Sequence, residues 1–197
     1  SMCLTKKRFR ILCGALWCGG NAPMTVQAGR NAMLLKAVIA GLTMDPATNT
    51  PIVILKTEEG DQAVPIWIGL LEATSIASAL QKVQFDRPMT HDLFKNFAEM
   101  QGITVSSIEV CDLQDNTFYA RIHFLSQDQQ FSMDARPSDA IGIALRFEAP
   151  IFIDQEVIAK ARPFEADAEA SDDSEEGRKW KEYLENLNPD DFGKYKV

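Results

Sequence analysis

Apolar residues recur with two different periods along the chain from Leu34 onward. An apolar residue at every second position predicts a strand, and apolar residues three or four positions apart predict a helix. The predicted strands span 34–42, 51–56, 63–68, 103–113, 117–125, 131–134 and 150–153, and the predicted helices span 70–83, 91–101, 137–148, 155–161 and 178–187. This order predicts an α+β (mixed α/β) fold with a single core, in which helices pack on a largely antiparallel sheet.

Turn and cap residues mark the ends of several of these elements. Gln114-Asp115-Asn116 separates two alternating stretches and predicts a hairpin, and the first three strands are expected to form a meander. Pro65 has no N–H to donate, which indicates an edge strand or a bulge. Thr90 and Asp154 are the side chains expected to cap the two helices that follow them.

The first part of the chain, residues 1–32, differs from the rest. Lys6-Lys7-Arg8-Phe-Arg10 precedes a short apolar run, which resembles a weak signal peptide but is too short and mixed to cross a membrane. The alternative, which we favour, is a non-native or flexible extension upstream of a natural start at Met33. The protein is then expected in the cytoplasm, and Cys111, in an alternating strand, is expected to be a buried, reduced thiol.

Residues 33–163 form the predicted core domain, and two further segments follow it. Residues 164–177 are rich in acids and predict a solvated linker. Residues 178–197 predict an amphipathic helix with Trp180, Tyr183, Leu184 and Leu187 on one face, followed by a short tail. A short helix is not stable alone in water, so this apolar face is expected to pack on the body or on a partner.

The charge of the chain restricts what it binds. The formal net charge is −8, although the first 36 residues hold six basic residues and no acid. Residues 37–197 therefore carry a formal net charge of −14. Non-specific affinity for nucleic acid comes mostly from Lys and Arg that displace counterions from phosphates. Contact with nucleic acid would need a local basic patch or bridging metal ions.

The most informative polar stretch is Asp134-Ala-Arg-Pro-Ser-Asp-Ala-Ile141, where a predicted strand passes into a predicted helix. Pro137 fits the first helical turn, because its missing N–H costs nothing there. Ser138 and Asp139 complement the helix N-terminus, which accounts for them without any function. Arg136 and Asp134 are not explained in this way, and strand ends that face helix starts are frequent places for sites in α/β proteins.

Few catalytic chemistries are available to this sequence. It has two histidines, and nucleophile motifs, a phosphate-binding glycine loop and a dinucleotide fingerprint are all absent. His123 lies within a predicted strand and is interpreted as structural. His91 lies at a helix start beside Asp92 and is a possible general base, with Arg136 as a possible phosphate clamp. Asp92, Asp134 and Asp139 offer oxygen ligands that suit Mg²⁺ or Mn²⁺, although acids at helix starts are also common caps.

Three ordered motifs resemble those of the bifunctional nuclease domain family. They are Pro65-Ile-Trp-Ile-Gly69 with Glu72-Ala73, Arg87-Pro-Met-Thr-His-Asp-Leu93, and Asp134-Ala-Arg-Pro-Ser-Asp-Ala-Ile141. The resemblance covers about Met33 to Ala161, and the tail after Leu187 is similar to that of bacterial members. It implies a mixed α/β domain, often oligomeric, and a nuclease that acts on RNA and DNA.

The resemblance places His91, Asp92, Asp134, Arg136, Ser138 and Asp139 at polar positions of the family's motifs. Together with the chemistry of this polar cluster, it motivates one hypothesis about their roles. As a metal-assisted nuclease, the protein would use His91, Asp92, Asp134, Arg136 and Asp139 in catalysis. Asp92, Asp134 and Asp139 would hold the divalent cation, and Arg136, Ser138 and Arg87 would bind the substrate.

Two other interpretations of the same residues remain open. The first is a non-catalytic binding or regulatory module, in which Arg136 and the helix starts bind a small anion and the C-terminal helix binds a partner or a second copy. The second is purely structural, with Arg136 neutralising Asp134 or Asp139 as a buried ion pair between sheet and helix.

Overall fold

The computed structural model describes residues 33–161, apart from positions 46, 61 and 128, together with Glu182. The predicted extension 1–32, the linker 164–177 and nearly all of the segment 178–197 lie outside the described residues. Eleven elements follow in the order β1 (Leu34–Asp45), β2 (Thr50–Thr57), β3 (Ala63–Trp67), α1 (Leu70–Leu80), α2 (Thr90–Met100), β4 (Ile103–Gln114), β5 (Thr117–Ser126), β6 (Gln129–Ala135), α3 (Pro137–Phe147), β7 (Ile151–Asp154) and α4 (Gln155–Lys160).

The seven strands form one sheet in the order β3-β2-β1-β7-β4-β5-β6. Strands β1 to β3 are a meander, and β4 to β6 are a second one. The last strand, β7, lies between the two meanders, antiparallel to β1 and parallel to β4. The predicted α+β fold with a largely antiparallel sheet is confirmed, and β7 makes its one parallel pairing among the described strands.

Several local predictions for the strands are confirmed. Strand β3, which contains Pro65, lies at an edge of the sheet, where a missing N–H costs no ladder bond. The hairpin between β4 and β5 turns at Asp115 and Asn116, which both have positive φ angles of 48° and 60°. Two residues with positive φ match the right-handed twist of a two-residue hairpin, and asparagine and aspartate tolerate this backbone better than most side chains.

The cap of α2 differs from the prediction. Thr90 is the first helical residue, and Met89 occupies the cap position. The carboxylate of Asp92, three residues on, accepts a hydrogen bond from the Met89 N–H at 3.1 Å. One half of a capping box thus replaces the predicted threonine cap. The other predicted cap is confirmed, because Asp154 accepts from the Glu156 N–H at 2.9 Å.

One face of the sheet packs against α1, α2 and α3 to form the core. The side chains of Leu55, Ile108 and Ile153 in the strands and of Ile76 and Ile141 in the helices are fully buried there. None of the helices within residues 33–161 is long and apolar enough to cross a bilayer. Assembly into an oligomer and location in the cytoplasm stay predictions.

The buried leucine of β2 provides a test of this core. We expect Leu55→Ala to lower the free energy of unfolding by about 2 to 5 kcal/mol, because the side chain is 0% exposed and its removal leaves a cavity. The same change at Leu71, which is 80% exposed, is expected to stay within about 0.5 kcal/mol of the wild type. Urea unfolding of both variants measures the difference, and equal effects would contradict the described packing.

Candidate active site

The N-terminal turns of α1 and α3 lie side by side, and α2 begins next to both. Each first turn contributes a polar side chain: Glu72 from α1, His91 and Asp92 from α2, and Asp139 from α3. Arg136 occupies the cap position of α3, directly before Pro137. The structure thus connects the three helix starts through side chains rather than through the sheet.

Arg136 holds two carboxylates at once. Its Nε and Nη2 atoms donate to the two oxygens of Asp139 at 2.7 and 3.0 Å, and its Nη1 atom donates to Glu72 Oε1 at 2.9 Å. Asp139 first, and Glu72 to a smaller extent, raise the pKa of Arg136. Arg136 thus neutralises Asp139, as the structural interpretation expected, but its side chain is 66% exposed, so the expected burial of this pair is wrong.

Glu72 reaches Arg136 because the preceding helix cap is glycine. A Cβ atom built on Gly69 would overlap the Oε2 atom of Glu72. The carboxylate therefore folds back over the start of α1, with its other oxygen bonded to Arg136. A negative charge at a helix N-terminus is favourable, and this position leaves Glu72 facing the same space as the guanidinium.

His91 is wedged between α1 and α3. Its Nδ1 atom shares a hydrogen bond of 3.0 Å with Ser75 Oγ, and its Nε2 atom lies 3.6 Å from Asp139 Oδ1. Gly142 makes room for the ring, because a Cβ there would lie 3.2 Å from Nε2. Burial, and then the charge of Arg146, lower the pKa of His91, so the imidazole is neutral at neutral pH.

Asp92 belongs to a second ion pair, with Arg146 at the other end of α3. Arg146 Nε donates to Asp92 Oδ1 at 2.5 Å, and its Nη1 atom donates to the carbonyl of Gly142 at 2.9 Å. Its two Nη atoms also lie 3.4 Å from the carbonyl oxygen of Ser75. The Arg146 side chain is only 7% exposed, so this pair is the buried one.

Two clefts adjoin this network. The first, which we call the Arg136 cleft, has a volume of about 280 Å³ and is lined by Trp67, Gly69, Glu72, Phe118, Arg136 and Ser138. The second has a volume of about 270 Å³ and is lined in part by Asp92 and Arg146. Although His91 and Asp92 are adjacent in sequence, His91 lies against Asp139 and Asp92 pairs with Arg146.

The structure brings some of the predicted site residues together and leaves others apart. Arg136, Asp139 and His91 form one contact chain, and buried Ser138 lines the Arg136 cleft. Asp134 is paired in register with Arg121 and is exposed, on the opposite sheet face from core residue Ile122. Arg87 is exposed in the connection before α2.

The predicted metal ligands do not converge. Within residues 33–161 as described, no three His, Cys, Asp or Glu side chains lie together as a metal-binding group. Asp92 and Asp139 each bond an arginine, and Asp134 lies on another face of the sheet. These three carboxylates do not fit a single Mg²⁺ or Mn²⁺ site within one chain, and the divalent cation stays a prediction.

Three residues that complete the network are absent from the predicted site. They are Glu72 and Ser75 of α1 and Arg146 of α3. Glu72 stands 64 positions from Arg136 in sequence, and Ser75 stands 16 from His91. The signal that could have indicated Glu72 is its place in the first turn of a helix, next to a glycine cap.

A separate polar pair lies on the sheet, away from the helix starts. His123 Nε2 is 3.1 Å from Glu109 Oε2, and the structural role of this histidine stays a prediction. Cys111 nearby is partly buried and free, and its thiol lies 3.6 Å from the carbonyl of Tyr119. Burial raises the pKa of Cys111, so the thiol is protonated and unreactive at neutral pH.

Comparison with known proteins identifies the family. The model of the bifunctional nuclease domain matches residues 53–165. An uncharacterized protein of Mycobacterium tuberculosis is 38% identical over 159 residues, which are 78% of this chain and 95% of that protein. This chain belongs to the bifunctional nuclease domain family.

Plant relatives are more distant and longer. The protein named bifunctional nuclease 1 of Arabidopsis thaliana is 30% identical over 110 residues, which are 53% of this chain and 34% of that protein. The protein of the same name from Oryza sativa subsp. japonica is 27% identical over 109 residues, which are 53% of this chain and 33% of that protein. The alignments thus cover about a third of each plant protein.

The environment of His91 predicts a pH dependence of stability. Its pKa in the folded chain lies below the ordinary value of 6.5, so the unfolded chain binds this proton more readily. The contribution of neutral His91 to the free energy of unfolding is fully present above pH 6.5. It is lost as the pH falls through the pKa of His91 in the folded chain. We expect the free energy of unfolding to decrease between about pH 7.5 and pH 5.5, and to decrease less in His91→Asn. Urea unfolding at several pH values measures this, and an equal decrease in both proteins would contradict it.

Proposed function

We propose that this protein hydrolyses phosphodiester bonds of RNA or DNA in the Arg136 cleft. The observation that carries the proposal is an exposed arginine at a helix N-terminus, bonded to a carboxylate that lines the same cleft. A cation and free backbone N–H groups bind phosphate, and a carboxylate accepts a proton. The names of the plant relatives support the same class of reaction.

Arg136 has capacity left for a phosphate. A guanidinium carries five N–H groups, and the contacts to Asp139 and Glu72 use three of them. Two N–H groups therefore remain for phosphate oxygens among the described contacts. The N–H groups of Ser138 and Asp139, in the first turn of α3, have no partner within the helix and add to the same anion site.

Glu72 is the proposed general base. In the proposed step the oxygen of a water molecule attacks phosphorus while one proton of that water passes to the Glu72 carboxylate. The bond from phosphorus to the leaving oxygen breaks, and the leaving oxygen takes a proton from solvent. Arg136 and the α3 N–H groups stabilise the charge that develops on the phosphate oxygens. Glu72 then returns its proton to solvent.

His91 and Asp139 position Arg136 in this scheme. Asp139 holds two of its nitrogens, and the neutral His91 ring lies against the same carboxylate. This assignment gives His91 a different part from the base expected from the sequence. No step depends on a metal ion, and metal dependence is a separate question for the assay.

The charge of the site favours a second candidate, a non-catalytic binding module. Two carboxylates bond to the single guanidinium of Arg136, and the whole chain has a formal net charge of −8. A polyanion therefore meets repulsion near this cleft. Under this alternative the cleft binds a small ligand without turnover, and the purified protein cleaves no nucleic acid.

Variants at the cleft test the proposed chemistry. We expect Glu72→Gln to reduce hydrolysis of labelled RNA and DNA by about 10²- to 10⁴-fold, the usual contribution of a general base. Arg136→Ala is expected to reduce it by about 10²- to 10³-fold through loss of charge stabilisation. The matched control is Glu59→Gln, an exposed acid in the turn after β2, which is expected to keep wild-type activity.

The same assay separates this site from the sequence-based one. Asp134→Asn is expected to retain activity, because Asp134 lies away from the cleft. Activity lost in Asp134→Asn and kept in Glu72→Gln would favour the sequence-based set instead. Parallel reactions with Mg²⁺, Mn²⁺ or EDTA show whether a cation is needed. Extensively purified wild type that cleaves neither polymer would support the binding module.

The glycine before α1 offers an independent prediction. We expect Gly69→Ala to displace the Glu72 carboxylate from Arg136, because the added Cβ takes the position of Glu72 Oε2. Activity should fall by at least about tenfold, whereas the free energy of unfolding should change by less than about 1 kcal/mol, since the clash is with a flexible side-chain end. Urea unfolding and the cleavage assay measure the two effects. Full activity in this variant would contradict the role of Glu72.

A further inference from the structure

A second groove lies beside the Arg136 cleft, and we call it the Trp67 groove. It has a volume of about 330 Å³, and its lining includes Pro65 and Trp67 of β3, Leu113 and Phe118 at the β4–β5 hairpin, and Lys160 and Ala161 at the end of α4. Trp67 is 49% exposed, so a large aromatic face borders the groove. This apolar lining suits the side chain of a large apolar residue.

Lys160 lines the groove, and two carboxylates, Asp45 and Asp112, bond to lining residues. Trp67 Nε1 donates to Asp45 Oδ2 at 3.1 Å, and Lys160 Nζ donates to Asp112 Oδ1 at 3.1 Å. Hydrogen bonds from Gln114, and next from Lys160, lower the pKa of Asp112 to about 2, so this acid is ionised at neutral pH. An occupant with positive charge beside an apolar side chain is therefore favoured over a nucleotide.

We propose that the Trp67 groove is the docking site of this chain's own C-terminal segment, residues 178–197, with the Trp180 side chain in the groove. In the sequence Trp180 is flanked by Arg178, Lys179 and Lys181. These cations complement Asp45 and Asp112, and the indole complements the apolar lining. Among the residues of this segment, the structure describes Glu182, which is helical and exposed.

The course of the chain places this segment within reach. Ala161, where the continuous described chain ends, itself lines the groove. Sixteen residues, 162–177, separate it from Arg178. A chain of that length spans at most about 53 to 58 Å when fully extended. A segment tethered within reach of its site has a raised effective concentration, so even a weak contact is populated within one molecule.

Fluorine NMR of the full chain tests the docking directly. The chain contains three tryptophans, Trp17, Trp67 and Trp180, and each resonance of the 5-fluorotryptophan protein is assigned by a Trp→Phe variant. A synthetic peptide of residues 178–197 gives the undocked reference. We expect the Trp180 resonance to be shifted from its position in the peptide, and the Trp67 resonance to shift in Trp180→Phe.

Two further variants separate docking from loss of fold. Lys179→Glu combined with Lys181→Glu removes the charge complementarity without touching the core, and we expect it to move the Trp180 resonance toward the peptide position. Leu113→Lys places a further cation in the groove, and we expect it also to move the Trp180 resonance toward its position in the peptide. The matched control is Lys194→Glu combined with Lys196→Glu, which makes the same change in charge 14 and 16 positions after Trp180 in the sequence.

Three outcomes would overturn the inference. One is a Trp180 resonance identical to that of the peptide in the wild-type protein. Another is a shift that depends on protein concentration, which would assign the groove to a second copy. A third is a change in the chemical shift of Trp67 when an oligonucleotide is added, without any change in the chemical shift of Trp180. None of these measurements uses hydrolysis, so their result does not depend on the proposed nuclease activity.

Discussion

The arrangement of the helices depends on satisfying one buried charge, the guanidinium of Arg146. Taking a charge out of water costs several kcal/mol unless it is paired and hydrogen-bonded. Asp92 of α2 provides the opposite charge, and carbonyl groups of Ser75 in α1 and Gly142 in α3 accept the other bonds. Each of the three helices supplies a partner, so none can shift without leaving part of this charge unsatisfied.

The two arginines of α3 have different environments and therefore different capacities. Arg146 is enclosed, with its nitrogens committed to the helices. Arg136, ten residues earlier, holds its carboxylates at the surface and keeps N–H groups directed to solvent. The buried arginine fixes the geometry of the helix starts, and the exposed one can exchange a partner for a ligand. The polar network therefore contains one buried arginine and one that is accessible to a ligand.

Local features of the fold were predictable from the sequence, because they depend on residues near one another in the chain. Pro65 indicated an edge strand, and Gln114-Asp115-Asn116 indicated a hairpin. Thr90 was predicted as a cap on residue type alone, whereas Met89 occupies the cap position and donates its N–H to the Asp92 carboxylate. The position of β7 between β1 and β4 was not predictable from periodicity, since alternation does not specify strand order.

The candidate site was predictable only in part for the same reason. Arg136, Ser138 and Asp139 lie together in the sequence and also in space. Glu72 reaches Arg136 through the packing of α1 on α3, which no local pattern encodes. Asp134 was included because it adjoins the same motif, but strand alternation directs it to the other face of the sheet.

The central position of β7 determines when the sheet becomes continuous. Without residues 151–154, the strands form two separate meanders with an unpaired edge on each, β1 on one and β4 on the other. Synthesis proceeds from the N-terminus, so the strand that joins the halves is the last of the seven to emerge from the ribosome. Both open edges persist until then and are templates for wrong pairing with other nascent chains. The four residues of β7 thus close the sheet and remove two sites of aggregation in one step.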